Sequence, residues 1–75
     1  MKPHFIQCRY PGILKSGYEH KNNPVNLNLV AAISELNHSS YGIGFANSNG
    51  EYFQKWLYHS QQERDEDYQT ILSLL

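Results

Sequence analysis

A single cysteine, Cys8, stands among the 75 residues, so no disulfide within the chain can brace the fold. No two Cys or His residues sit on a helix at the three- or four-residue spacing that aims both at one ion, and a structural metal is not expected. Long apolar runs are also missing. The first eighteen or so residues hold none, which predicts neither a signal peptide nor a membrane span and makes the cytoplasm the expected location. Basic charge is scarce: six Lys and Arg face seven Asp and Glu, for a net charge of −1, so neither a duplex phosphate backbone nor an anionic membrane attracts the chain from afar. A chain this short buries only about 60% of its unfolded surface, which leaves aromatic packing and oligomerisation as the routes to stability.

Aromatic residues are what the sequence has in quantity. Six Tyr, three Phe and one Trp give large buried area at modest entropic cost, and most of them read as core. Charge is unevenly spread. Residues 1–38 carry four cations against two acids, and residues 39–75 carry two cations against five acids, so the halves attract each other within one molecule or between copies.

"HFIQCRY", His4 to Tyr10, alternates as a strand with Ile6, Cys8 and Tyr10 on one face and Phe5, Gln7 and Arg9 on the other. Pro11-Gly12 ends it. Residues 11–24, with two prolines, two glycines and an Asn-Asn pair, read as a long connection, of the kind that binds something or stays mobile. Val25 to Leu29 alternates again with Val25, Leu27 and Leu29 inward. The stretch 29–36 fits either a short helix with Leu29, Ile33 and Leu36 on one stripe, or a strand with Ala31 and Ile33 inward; the strand is favoured, and residues 37–40 form the turn that ends it.

The clearest element is a hairpin over 41–58. "YGIGFA" and "EYFQKWLY" alternate on either side of "NSNG", and Asn49-Gly50 suits the positive φ of a tight turn. With those residues at its centre, Ile43 lies opposite Trp56 and Tyr41 opposite Tyr58. One face then carries Tyr41, Ile43, Phe45, Tyr52, Trp56 and Tyr58, and the other Gly42, Gly44, Ala46, Phe53, Lys55 and Leu57. Two glycines on one strand face require a reason: either Phe53 and Leu57 fill the gap across the strand pair, or a partner approaches closely there.

Ser60 followed by Glu63 is a capping box, so a helix is predicted over 61–74. Glu63, Asp65, Glu66 and Asp67 read as complement to the positive helix end and as a solvated face, with Arg64, Tyr68, Ile71, Leu72 and Leu75 as the stripe facing the sheet. The expectation is a single α+β domain, residues 1–75, with four or five short antiparallel strands, the hairpin among them, and one C-terminal helix roofing the Trp56 side. This order of hairpin and Ser-capped acidic helix is a form common among small bacterial or phage proteins.

No catalytic, cofactor or metal site is predicted. The four histidines stand apart, Cys8 alternates into an apolar face, and Gly42 and Gly44 lie in a strand without the third glycine or helix start of a phosphate loop. The functional expectation is a non-enzymatic interaction module that meets a protein partner, or a second copy in a homo-oligomer, through an uncovered sheet face or free strand edge. Its candidate interface is Gly42, Gly44, Phe53, Lys55 and Leu57. The alternative is a binder of single-stranded nucleic acid or a small ligand using exposed aromatics, Tyr18 and the 11–24 loop, disfavoured for nucleic acid because Lys55 is the lone cation on the exposed hairpin face.

Overall fold

The computed structural model describes residues 4–15, 17–37 and 40–75, apart from the side chains of Lys15 and Tyr18. The chain runs β1 (Phe5–Ile6), β2 (Gly12–Lys15), β3 (Tyr18–Lys21), β4 (Val25–Asn26), a 3-10 turn at Leu27–Leu29, β5 (Ala32–Leu36), β6 (Tyr41–Ala46), β7 (Tyr52–Tyr58) and α1 (Gln61–Leu74). The expected α+β fold, with short antiparallel strands and one C-terminal helix packed on the sheet, is borne out. The strands divide into a three-stranded sheet ordered β5-β6-β7 and two antiparallel pairs, β1-β4 and β2-β3.

The hairpin forms in the expected register, with Tyr41 opposite Tyr58 and Ile43 opposite Trp56. Asn47 builds its turn: its side-chain oxygen accepts from the Asn49 and Glu51 amides at 2.9 and 3.1 Å, and its carbonyl accepts from Gly50 at 3.0 Å. Gly50 takes φ of 81°, the left-handed conformation that lets a three-residue loop rejoin the strands. Near the turn the register slips. Phe45 faces Gln54 but Ala46 faces Tyr52, so Phe53 is the extra residue of a β-bulge.

Residues 32–36 are a strand, as favoured, although Ala31 is exposed rather than inward. Three other readings change. The strand expected over 4–10 pairs only at Phe5–Ile6, because past Ile6 the antiparallel register brings in Pro24, which has no N–H to donate, and at its other end β4 gives way to the 3-10 turn at Leu27; the inward side of Ile6, Cys8 and Tyr10 is nevertheless kept. Leu29 leaves the core at the same turn and is 58% exposed. Residues 11–24 are not a bare connection. They contain the β2-β3 hairpin, with Gly12 opposite Lys21 and Lys15 opposite Tyr18, and Gly12 at φ 127° passes so close to the His20 carbonyl that a Cβ would collide with it. Among the side chains described in this hairpin Ile13 alone is a buried apolar one, too little for alternation to stand out. The turn read at 37–40 includes His38 and Ser39, which lie outside the described residues.

The core comprises Ile6, Val25, Leu27, Ile43, Phe45, Trp56, Tyr58 and Ile71. Trp56 and Phe45 meet edge to face, with ring centres 4.8 Å apart, and the Trp56 indole donates to the Asn23 carbonyl at 2.7 Å. Helix α1 starts at Ser60, whose hydroxyl accepts from the Glu63 amide at 3.2 Å, and covers the Trp56 side. Its buried line is Arg64, Asp67 and Ile71, with Tyr68 and Leu74 beside it, while Leu72 and Leu75 remain 43% and 41% exposed.

Candidate interaction surface

The side of the sheet opposite α1 is built on Gly42 and Gly44. A Cβ at Gly42 would lie 2.8 Å from the Trp56 carbonyl and 2.9 Å from Leu57 Cδ2; one at Gly44 would lie 2.8 Å from the Tyr52 ring and 3.4 Å from Leu36 Cδ1. The glycines therefore make room for Leu57, Tyr52 and Leu36. This corrects the expected partners: Leu57 does cross Gly42, but Tyr52 rather than Phe53 crosses Gly44. The bulge is the cause, because one extra residue at Phe53 turns Tyr52 away from the Trp56 side. The Tyr52 hydroxyl then donates to Ser34 Oγ at 3.0 Å across the full width of the sheet.

Of the predicted interface residues, Gly42 and Gly44 lie at the bottom of this surface, Leu57 is half-buried above them, and Lys55 is exposed. Phe53, 40% exposed, stands where two grooves meet. The first, about 380 Å³, runs past Leu29, Val30, Ala31, Asn47 and Ser48 and has no charged wall. The second, about 390 Å³, lies between β7 and β3, where Tyr52 and Lys55 face Glu19, His20 and Lys21. Lys55 thus has a second lysine near it, which the hairpin sequence by itself does not show.

The outer edge of β7 is closed by side chains. Asn22, only 7% exposed, accepts from the Leu57 amide at 2.8 Å and donates to the Leu57 carbonyl at 3.0 Å and to the Tyr10 carbonyl at 3.1 Å. His20 Nε2 lies 2.8 Å from the Lys55 carbonyl, and since a carbonyl only accepts, that nitrogen carries the proton. Asn22 and His20 do for this edge what another strand would do. Asn22 looked like turn chemistry in the sequence because its partners are far along the chain.

A buried polar cluster ties the N-terminal segment to α1. Tyr58 donates to Asp67 Oδ2 at 2.8 Å, Arg9 Nε donates to Asp67 Oδ1 at 2.7 Å, and the Cys8 thiol lies 3.3 Å from the Tyr58 oxygen. Asp67, 5% exposed, is therefore neither a solvated acid nor a surface contact, as its place in the acidic run suggested. Arg9 and Asp67 thus use the charge asymmetry of the sequence within one molecule, whereas Arg64 and Glu35 join the two halves in the opposite sense. Burial pushes the Cys8 thiol above its ordinary range, against opposing hydrogen bonds from Tyr58, Tyr10 and Asn22 and with the Asp67 charge adding to the effect, so its surroundings favour the protonated thiol over the thiolate.

Burial, then the bonds with Cys8 and Asp67, raises the Tyr58 phenol well above 10.0. The folded protein keeps both protons past the pH at which the unfolded chain releases them, 9.0 for the thiol and 10.0 for the phenol. The contribution of these two groups to stability is therefore expected to be constant below about pH 9 and then to fall, each adding a slope of up to about 1.4 kcal/mol per pH unit above its unfolded value. Urea titrations between pH 7 and 11 check this. Tyr58→Phe should start less stable and lose the steeper part of the decline; an unchanged slope would remove Tyr58 as its source.

Among the described residues no three His, Cys, Asp or Glu side chains are grouped to hold a metal ion, and no helix is long and apolar enough to cross a membrane. No protein-family model matches the chain, and no curated protein or solved structure shows significant similarity to it.

Proposed function

We propose that the chain is a non-enzymatic protein–protein interaction module that self-associates on the side of its sheet that α1 leaves uncovered. The observation that carries this reading is the concentration of part-exposed Tyr52, Phe53 and Leu57 around the two glycines, on a domain whose other sheet side carries most of the core. Exposed aromatic and aliphatic side chains gathered on one face mark contact sites more often than scattered ones do. The uncharged groove beside Phe53 fits an apolar anchor, and Lys55 gives the rim a polar residue.

Light scattering behind a sizing column tests it. Wild type is expected to approach twice the monomer mass between about 10 and 100 µM, and Leu57→Glu, which places a charge on the contact side, should weaken association at least about tenfold. A monomer throughout that range overturns the proposal. The second groove favours one other reading, a single-stranded nucleic acid stacked on Tyr52 and Phe53 with Lys21 and Lys55 near its phosphates. The same samples titrated with a labelled oligonucleotide separate the two, since that binding must weaken steeply with salt.

A further inference from the structure

The three-stranded sheet has two edges, and only one is closed. On β7 the backbone groups of Lys55 and Leu57 point outward, since His20 and Asn22 bond to them from outside the sheet. In an antiparallel ladder outward and inward residues alternate, so Gln54, Trp56 and Tyr58 bond toward β6 through Phe45, Ile43 and Tyr41. Gly42 and Gly44 on β6 consequently turn their backbone groups toward β5, where they meet Leu36 and Ser34. The residues of β5 left pointing outward are Ile33 and Glu35. The Tyr68 hydroxyl, 3.4 Å from the Ile33 carbonyl, agrees with that assignment. Among the described residues nothing bonds the Ile33 amide, the Glu35 amide or the Glu35 carbonyl from outside, and the Ile33 carbonyl keeps a second lone pair.

We infer that β5 is the contact edge between two copies of this chain, paired antiparallel about a two-fold axis at Ser34. This rests on the reading that the chain self-associates but moves the contact from the glycine face to the β5 edge, so that Leu57→Glu, two strands away on β7, leaves this dimer intact and a loss with that variant speaks for the face instead. A second copy is the occupant because the strand complements its own reverse. With Ser34 opposite Ser34, Ile33 and Glu35 of one copy exchange both backbone bonds with Glu35 and Ile33 of the other, which satisfies every outward group. On the glycine side small Ala32 lies opposite large Leu36, and Ser34 meets Ser34, a pair able to hydrogen-bond. On the helix side each Glu35 lies opposite Ile33 rather than the other Glu35, and its charge is already balanced by Arg64 at 3.3 Å. The product is one six-stranded sheet whose two outer edges are the β7 edges closed by Asn22 and His20. The Tyr52, Phe53 and Leu57 surfaces of the two copies become one continuous face.

Hydrogen exchange on the wild-type chain reads the contact without a mutation. The Ile33 and Glu35 amides are expected to gain protection as concentration rises through the association range, while amides of the 48–50 turn, at the far end of the β6-β7 hairpin, do not change. Glu35→Pro removes an outward donor without touching the bonds to β6, and should weaken association at least about tenfold; Glu35→Ala loses the same ion pair but keeps the donor, and should stay within about threefold. A dimer whose Ile33 and Glu35 amides exchange independently of concentration, or that survives Glu35→Pro, overturns the edge contact and leaves self-association to the glycine face. A chain monomeric at every concentration overturns both. Protection of these amides only on adding a different protein or peptide overturns the second copy as the occupant.

Discussion

Trp56→Ala is expected to remove about 4 kcal/mol of folding stability, the largest loss available from a single side chain of this domain. The indole is 1% exposed and carries three separate connections: edge-to-face contact with Phe45, packing under Ile71 of α1, and the hydrogen bond to Asn23 that holds the end of the β2-β3 unit. Truncation opens a cavity between sheet and helix and leaves the Asn23 carbonyl without its indole donor. A chain of this size has a total stability on the order of 4–11 kcal/mol, so the variant should keep about 0–7 kcal/mol and unfold at much lower urea and temperature than wild type. Trp56→Phe separates the contributions in part, since it keeps one ring against Phe45 and loses the N–H together with the volume of the second ring. Urea denaturation followed by circular dichroism measures both. A loss below about 1 kcal/mol for the alanine variant would mean that the helix does not depend on this side of the sheet.

The elements that local chemistry specifies were legible. Alternation on both sides of an Asn-Gly turn determined the β6-β7 register, and a serine three residues before a glutamate determined where α1 begins. Alternation from Ile6 to Tyr10 placed the correct side chains inward even where no ladder forms. What escaped depends on partners distant in sequence. The bulge at Phe53 is invisible to period counting, because the same residues alternate with or without it, yet it decides which side Tyr52 occupies. Asn22 and Asp67 are polar residue types whose usual place is a turn or a solvated face, and only folding brings Leu57 to the first and Arg9 and Tyr58 to the second.

The candidate site was legible in part for the same reason. The glycine side, with Lys55 and Leu57, follows from period two alone, whereas the fillers of the glycine gap depend on the bulge. The closed and open edges could not be read at all, since edge status depends on strand order and on side chains from another hairpin. The thin core also becomes clearer in physical terms. Polar groups buried with their partners, Asn22, Arg64 and Asp67, take positions that a larger protein would fill with apolar residues, and no buried side-chain polar atom among the described residues lacks a hydrogen-bond partner.

Arg64→Ala is expected to cost about 3 kcal/mol, second only to the loss of Trp56. The guanidinium is 1% exposed and spreads its donors over four groups: Asp65 at 2.6 Å, the Leu36 carbonyl at 3.0 Å, the Gly42 carbonyl at 3.2 Å and Glu35 at 3.3 Å. Its plane also lies 5.8 Å from the centre of the Tyr41 ring. These contacts join the first turn of α1 to the ends of β5 and β6, where the chain passes through residues 37–40. The two acids are about half exposed and regain water when the cation is removed, so the loss comes mainly from the two carbonyls and the vacated volume. Arg64→Lys restores a charge but not the planar fork, and should recover only about 1 kcal/mol of the loss. Arg64→Met, which fills the volume and bonds neither carbonyl, should recover a similar amount for a different reason. Chemical denaturation of the three variants under one buffer condition ranks them; full recovery by lysine would show that charge, rather than the fork reaching both strand ends, is what the helix start requires.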